Sequence, residues 1–293
     1  MISSPAAVAR LRAARGFVFD MDGTLVLTDA GHQRVRSLPG AADTINGLAG
    51  MGLPFSVLTN GTLKPPAELA ALLRDAGLPV PDTRMQTPAS IAAAYFARRR
   101  IERVMVIGTR GTVVPFVEAG LTVLGTDRRA EVDAVFVGWS RDFTMDDLET
   151  ACHAVWGGAR LFTASVNAFF ATADGRAIGT ARAISAMITS LTGKRPVLLG
   201  KPSREALRSA ERLIGVPADA LVVVGDDPGA EIAMARRGGA LSVLVTTGIA
   251  GREALHALPE ARRPDLVVEN VGEVWRLYRG AEATSNSIQG AEP

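Results

Sequence analysis

The run GFVFDMDGTLVL, residues 16–27, joins a short apolar stretch to a pair of acids. Phe17, Val18 and Phe19 read as a buried strand of a parallel sheet, which lacks the polar alternation of a half-exposed strand. The apolar run stops at Asp20. Asp22 follows two residues later, and Gly23 and Thr24 let the chain turn. Side chains two apart on an extended backbone share a side, so the spacing predicts both carboxylates in one crevice. Two carboxylates ending a hydrophobic strand repel each other and lose solvation unless a cation lies between them. A hard cation that favours oxygen ligands, Mg²⁺ first, is the expected occupant. Asp and Gly are also common turn residues, so the run acquires its meaning from the rest of the chain.

Outward from that run, the same pattern of apolar strand into polar turn recurs three times. PFSVLT (54–59) ends at Thr59, Asn60 and Gly61; PVLL (196–199) ends at Gly200, Lys201 and Pro202; LVVVG (221–225) ends at Asp226 and Asp227. Helical stretches separate the strands, and such alternation means a parallel sheet covered on both faces. Ligands of open α/β sheets bind outside the carboxyl ends of the strands. Four strands ending in Asp, Thr, Lys and Asp therefore describe one site. The segment 87–191 contributes no such residue. It carries its own alternation, with strands RVMVIG (103–108), LTVLG (121–125), AVFVGW (134–139) and RLFTAS (160–165). The expected fold is α/β: a discontinuous Rossmann-like parallel-sheet core from 1–86 and 192–280, and an inserted α/β domain over 87–191. The polar end, 281–293, is expected to be a disordered tail.

Composition narrows the function classes. With 293 residues, two domains are the fair expectation, and 47% apolar residues supply a large core. No window approaches a membrane span. The first residues lack the continuous apolar core of a secretory signal, so a cytoplasmic protein is expected. The single cysteine, Cys152, excludes an internal disulfide and suits a reducing compartment. It falls on one helical face with Leu148, Val155 and Trp156, which predicts a packing role for all four. A net charge of +2 argues for no polyanionic partner, and no nucleic-acid signature is present.

At the shared strand ends the chemistry is phosphoryl transfer. A carboxylate such as Asp20 can be a nucleophile that becomes an aspartyl-phosphate. Asp22 is placed to protonate the leaving oxygen and later to deprotonate water. Lys201 offsets carboxylate charge and can bind a phosphate oxygen, Thr59 can hydrogen-bond another, and Asp226 with Asp227 can ligate metal.

DMDGT, LTN, GKP and GDDPGAE, in that order, resemble the four motifs of the haloacid dehalogenase superfamily. The insertion between the second and third motifs is similar to the large α/β cap of the NagD-like, 4-nitrophenyl phosphatase and phosphoglycolate phosphatase branch. VGWSRDFTMDDL and TGKRPVLLGKPS are similar to that branch too, so the resemblance runs from about Gly16 to Gly280. It implies Asp20 as nucleophile and Mg²⁺ ligand, and Asp22 as acid/base and as ligand through its carbonyl. It further implies Thr59 and Lys201 as phosphate-binding, Asn60 as their support, and Asp226 as a metal ligand. There are two departures. The branch has a second Asp five residues after the first acid of the last motif, where this chain has Glu231. The extra methylene moves that carboxylate, putting Glu231 in an outer shell and shifting weight to Asp227. The cap's usual Thr-Asn-Pro-Asp-like stretch is Ser165, Val166, Asn167 and Ala168 here. By the strand-end logic, Ser165, Asn167 and Trp139 are the cap residues expected to face substrate.

The expected activity is a Mg²⁺-dependent phosphomonoesterase acting on a small phosphorylated metabolite. Transfer of the phosphoryl group to an alcohol, as in a phosphotransferase or mutase, stays open, as does a catalytically weak phospho-ligand-binding homologue. A receiver module shares the acids, Thr and Lys, but is roughly half this length and needs no insert. A homodimer also stays open.

Overall fold

The computed structural model describes residues 4–29, 34–172, 175–248 and 258–280. The expected tail, 281–293, lies outside them. Strand Gly16–Phe19 lies inside a six-stranded, all-parallel sheet with the order Leu266–Val268, Leu241–Val245, Leu221–Gly225, Gly16–Phe19, Phe55–Leu58, Met85–Gln86. All four residues of Gly16–Phe19 are buried, as are those of its two neighbours, which is why their sequences are continuously apolar. The chain leaves this strand toward Phe55–Leu58 on one side and later returns to Leu221–Gly225 on the other. Gly16–Phe19 is thus a topological switch point, where a crevice opens at the carboxyl ends of adjacent strands. Phe17, Phe19, Val222 and Val224 face one hydrophobic cluster, and Val18 and Val223 face another on the opposite side.

A second parallel sheet has the order Val197–Leu198, Arg160–Thr163, Ala134–Val137, Arg103–Ile107, Thr122–Leu124. Its two faces carry separate clusters, one around Phe96, Phe116, Phe136 and Phe162, the other around Leu148, Ile184 and Ile188. Local signals set the helices that cover it. Thr87 and Ser90 form a reciprocal cap with Pro88 at the first helical position, opening Pro88–Arg98. Thr144 and Asp147 do the same for Met145–Trp156.

One strand changes sheets relative to the sequence expectation. Val197–Leu198 was expected with 192–280 in the first sheet; it pairs with Phe162 and Thr163 and forms the edge of the second. A two-residue apolar strand carries no mark of its partner, so the choice falls to tertiary context. Two antiparallel hairpins are additional to the expected elements: Val26–Thr28 with Val35–Ser37, and Phe169–Thr172 with Gly175–Ile178. Trp156 also departs from expectation. Leu148, Cys152 and Val155 are buried, but Trp156 is 56% exposed and stands edge-on to His153. At the last helical position it lies beyond the reach of the sheet. No helix among the described residues is long and apolar enough to cross a membrane.

The two sheets meet through their carboxyl-end loops. Thr109 Oγ1 donates to the carbonyls of Thr62 and Leu63 (2.9 and 3.1 Å), and the Trp139 N–H donates to Thr62 Oγ1 (3.0 Å). The loop after Phe55–Leu58 is thereby pinned beneath the second sheet.

Candidate active site

Asp20 follows Phe19 directly, and its backbone N–H donates to the Val224 carbonyl (2.9 Å), continuing the sheet ladder by one residue. This holds a carboxylate that is 7% exposed at the switch point. Lys201, 2% exposed, reaches it from the other side of the crevice. Its ammonium donates to Asp20 Oδ1, to the Leu58 carbonyl (2.9 Å), and pairs with Glu231 Oε1 (2.6 Å). All three ammonium protons have an acceptor.

Asp226 follows Leu221–Gly225 and is buried, and its carboxylate lies with those of Asp20 and Glu231, ligand atoms within 4.8 Å of one another. Glu231 was expected in an outer shell, with Asp227 taking its place. The geometry is the reverse. Asp227 Oδ1 accepts from the Gly229 N–H (2.7 Å) and caps a turn over Pro228–Ile232. That turn is of the wide π type, whose hydrogen bonds span one residue more than those of an α-helix, and such turns recur at functional sites. It swings Glu231 back to the strand end, where Oε2 accepts from the Asp227 N–H (3.0 Å). Gly225 makes the approach feasible, because a Cβ there would collide with Glu231 Cγ.

The extra methylene of Glu231 therefore serves to reach inward. Two buried carboxylates, Asp20 and Glu231, share one buried lysine, and Asp226 lies close beside them. Burial pushes the Lys201 ammonium toward its neutral form, but the charges of Asp20 and Glu231 overrule it and hold its pKa above the ordinary lysine value. Burial raises Glu231; Lys201 draws it down, Asp20 pushes it up again, and the balance lies above the usual carboxylate range. The lysine rises on the charges of Asp20 and Glu231, and the glutamate rises chiefly on its burial, with Asp20 and Asp227 adding to it. An all-oxygen, electron-rich donor set of this kind fits a hard divalent cation.

Asn60 and Thr59 hold the loops around this cluster. Asn60 accepts from the Lys201 N–H (2.8 Å) and donates to the Lys201 carbonyl (3.0 Å), pairing with that residue as a neighbouring strand would. A Cβ on Gly200 would strike the Ala164 carbonyl, and Asn60 Oδ1 lies 2.6 Å from that position, so only glycine lets the three chains converge. Thr59 is buried and its hydroxyl accepts from the Gly61 N–H (3.0 Å).

Asp22 is not one of the three carboxylates that cluster. The extended backbone ends at Phe19, and Leu25 N–H bonding to Met21 O (3.0 Å) marks a tight turn. The Asp22 side chain is exposed and accepts from the Thr28 hydroxyl on the first hairpin. Thr28 and the buried Thr24, whose hydroxyl lies 3.5 Å from Asp20 Oδ2, are contacts that no spacing rule flagged, although Thr24 sits inside DMDGT.

Of the cap residues, Ser165 Oγ accepts from the Asn167 N–H (3.1 Å), which shapes the exposed loop after Arg160–Thr163. Trp139 is half-buried, with its backbone on Thr62.

A haloacid dehalogenase-like hydrolase family model matches residues 17–122, and a second HAD-hydrolase-like model matches 198–274. The sugar-phosphatase AraL of Bacillus subtilis is 30% identical over 265 residues, covering 89% of this chain and 92% of its own. The chain is a haloacid dehalogenase-like hydrolase. Within that family it is similar to the ribonucleotide monophosphatase NagD of Escherichia coli K12, 28% identical over 89% of this chain and 98% of that one. The NagD structure superposes with a TM-score of 0.77. A 4-nitrophenylphosphatase from Thermotoga maritima superposes with a TM-score of 0.81 at 26% identity, covering 93% of this hydrolase and 99% of the other chain.

Proposed function

We propose that this hydrolase is a Mg²⁺-dependent phosphomonoesterase that cleaves a small phosphorylated metabolite through an aspartyl-phosphate on Asp20. The observation that carries the reading is the buried Asp20 carboxylate, gripped by the buried Lys201 within 4.8 Å of two further carboxylates. Buried carboxylates brought this close repel one another, and a cation bound between them relieves that repulsion. The phosphatases AraL and NagD, similar over most of this chain, support the same reaction class.

In this reading Asp20, Asp226 and Glu231, with the Asp22 carbonyl, hold the cation; when bound, it supplies neutralising charge to the phosphoryl oxygens. Lys201 binds one phosphoryl oxygen and Thr59 another, with Asn60 fixing the Lys201 backbone. One Asp20 oxygen attacks phosphorus, and the ester P–O bond breaks as the Asp22 carboxyl gives its proton to the leaving oxygen. Asp22, now ionised, takes a proton from water. That water attacks the phosphorus, the bond to Asp20 breaks, and inorganic phosphate leaves with the carboxylate restored. The segment 87–198 acts as a cap that excludes bulk water during these steps. A cytoplasmic setting goes with the single cysteine.

The test is phosphate release from a panel of phosphomonoesters with Mg²⁺ and with chelator. Activity should require Mg²⁺, and Asp20→Asn should lose at least about 10³-fold while melting as the parent does. Beryllium fluoride should form an adduct on Asp20 in the parent. Appreciable turnover by Asp20→Asn without an adduct would falsify the covalent route.

A further inference from the structure

Strand Leu241–Val245 runs beside Leu221–Gly225, and the residues that follow it, Thr246, Thr247 and Gly248, reach the DMDGT turn. Thr247 Oγ1 donates to the Gly23 carbonyl (2.6 Å). Gly23 is thereby held at both ends, because its N–H donates to the Val26 carbonyl (2.8 Å). Its φ of 81° is the left-handed conformation that favours glycine.

The peptide between Asp22 and Gly23 is planar and trans, so its C=O and N–H point in opposite directions. Fixing the Gly23 N–H on Val26 therefore fixes the direction of the Asp22 carbonyl. The Val26 bond sets that direction within the turn, and the Thr247 bond sets the turn against its neighbours. Asp226 shows how closely these segments fit. A Cβ on Gly23 or on Gly248 would collide with Asp226 Oδ2, and Gly248 Cα lies 3.1 Å from that Gly23 position. Gly248 is exposed, so it is the Asp226 carboxylate, and not core packing, that leaves no room for a side chain there.

We propose that Thr247 and Gly248 brace the cation site from outside: Thr247 is a positioning residue that holds the turn carrying the Asp22 carbonyl beside Asp226, and Gly248 leaves the Asp226 carboxylate its place. The inference rests on the Mg²⁺-dependent phosphomonoesterase reading. Mg²⁺ demands near-ideal octahedral geometry, so ligands from separate segments have to be held in register by partners outside the coordination shell.

The test reads the rise in Tm with Mg²⁺ in the absence of substrate, and the Mg²⁺ concentration that half-saturates phosphate release from 4-nitrophenyl phosphate. Thr247→Val keeps the volume and removes the hydroxyl. It should need about 10-fold more Mg²⁺ and show a smaller Tm rise, with KM for the ester at saturating Mg²⁺ close to the parent's. Thr247→Ser restores the donor and should recover most of both losses. Gly248→Ala should weaken the Mg²⁺ response further by pushing Asp226 aside; if that variant does not fold, the Thr247 pair decides alone. The Thr246 hydroxyl faces the Glu269 carbonyl (3.5 Å) instead, so Thr246→Val controls for damage to the strand end and should match the parent's Mg²⁺ response. A Thr247→Val protein with the parent's Mg²⁺ requirement and Tm rise, or with losses that serine does not restore, would overturn the proposal while leaving the reaction class intact. A parent whose Tm and turnover both ignore Mg²⁺ would instead sink the Mg²⁺ reading, and the proposal with it.

Discussion

Lys201 faces Asp20 and Glu231 at once, with Asp226 in the same few ångströms, and this crowding of buried carboxylates has a measurable consequence. Glu231 already leans toward its neutral form. Glu231→Gln keeps the shape and deletes one buried anion. Without metal, the variant should melt no lower than the parent, because the repulsion it relieves offsets the lost pairing with Lys201. With Mg²⁺, its rise in Tm should be clearly smaller than the parent's, since one ligand is gone. Calorimetry with and without Mg²⁺ checks both; an undiminished Mg²⁺ shift would remove Glu231 from the metal site. At this scale DMDGT, Lys201 and Asp226 were legible because each ends an apolar run. The inward position of Glu231 was not, because the extra methylene was read as moving the carboxylate away, whereas the wide turn over Pro228–Ile232 lets it reach back to the strand end.

Among elements, the join between the loops after Phe55–Leu58 and Val197–Leu198 depends on Asn60. Its amide replaces a strand pairing with both a donated and an accepted bond to Lys201. Asn60→Ala removes both partners from a crowded junction. It should cost about 1–3 kcal/mol of stability and lower kcat by about 10-fold or more through loss of Lys201 alignment, while KM changes less. Denaturant titration and steady-state kinetics read the two effects. A loss of stability with kcat intact would make Asn60 a purely structural clasp. Strand and turn patterns displayed Asn60 only as part of a turn; its supporting role beside Lys201 came from the family resemblance. Its partner lies 141 residues away, beyond any local pattern. The two hairpins escaped for a related reason: three- and four-residue strands are too short for period-two alternation to register.

Across the whole molecule, alternation of strand and helix announced two parallel sheets, and the long insert between the second and third motifs announced a second layer over the first. The loop carrying Ser165 and Asn167 hangs from that upper layer. Replacing both by Ala should lower kcat/KM for the preferred metabolite by about 10-fold, one to a few kcal/mol of transition-state binding. Hydrolysis of 4-nitrophenyl phosphate should fall by a much smaller factor, since its leaving group offers these side chains little to bind. Equal loss on both would assign the loop to closure. What sequence alone could not settle was the edge of the upper layer, because an apolar pair such as Val197 and Leu198 fits either sheet.

That edge strand bears on how such proteins can be recombined. Exchanging upper layers between relatives invites a cut where the helical insert ends, near 192, which would leave Val197–Leu198 attached to the lower half. The transplanted sheet would then meet a foreign edge strand at the residues paired here with Phe162 and Thr163. Lys201, three residues beyond Leu198, would inherit any mismatch. A seam placed between 86 and 87 and again between 198 and 199 transfers the sheet whole. Even that seam leaves the recipient's Lys201 three residues from a foreign edge strand, so shuffled specificity and shuffled catalytic power will travel together.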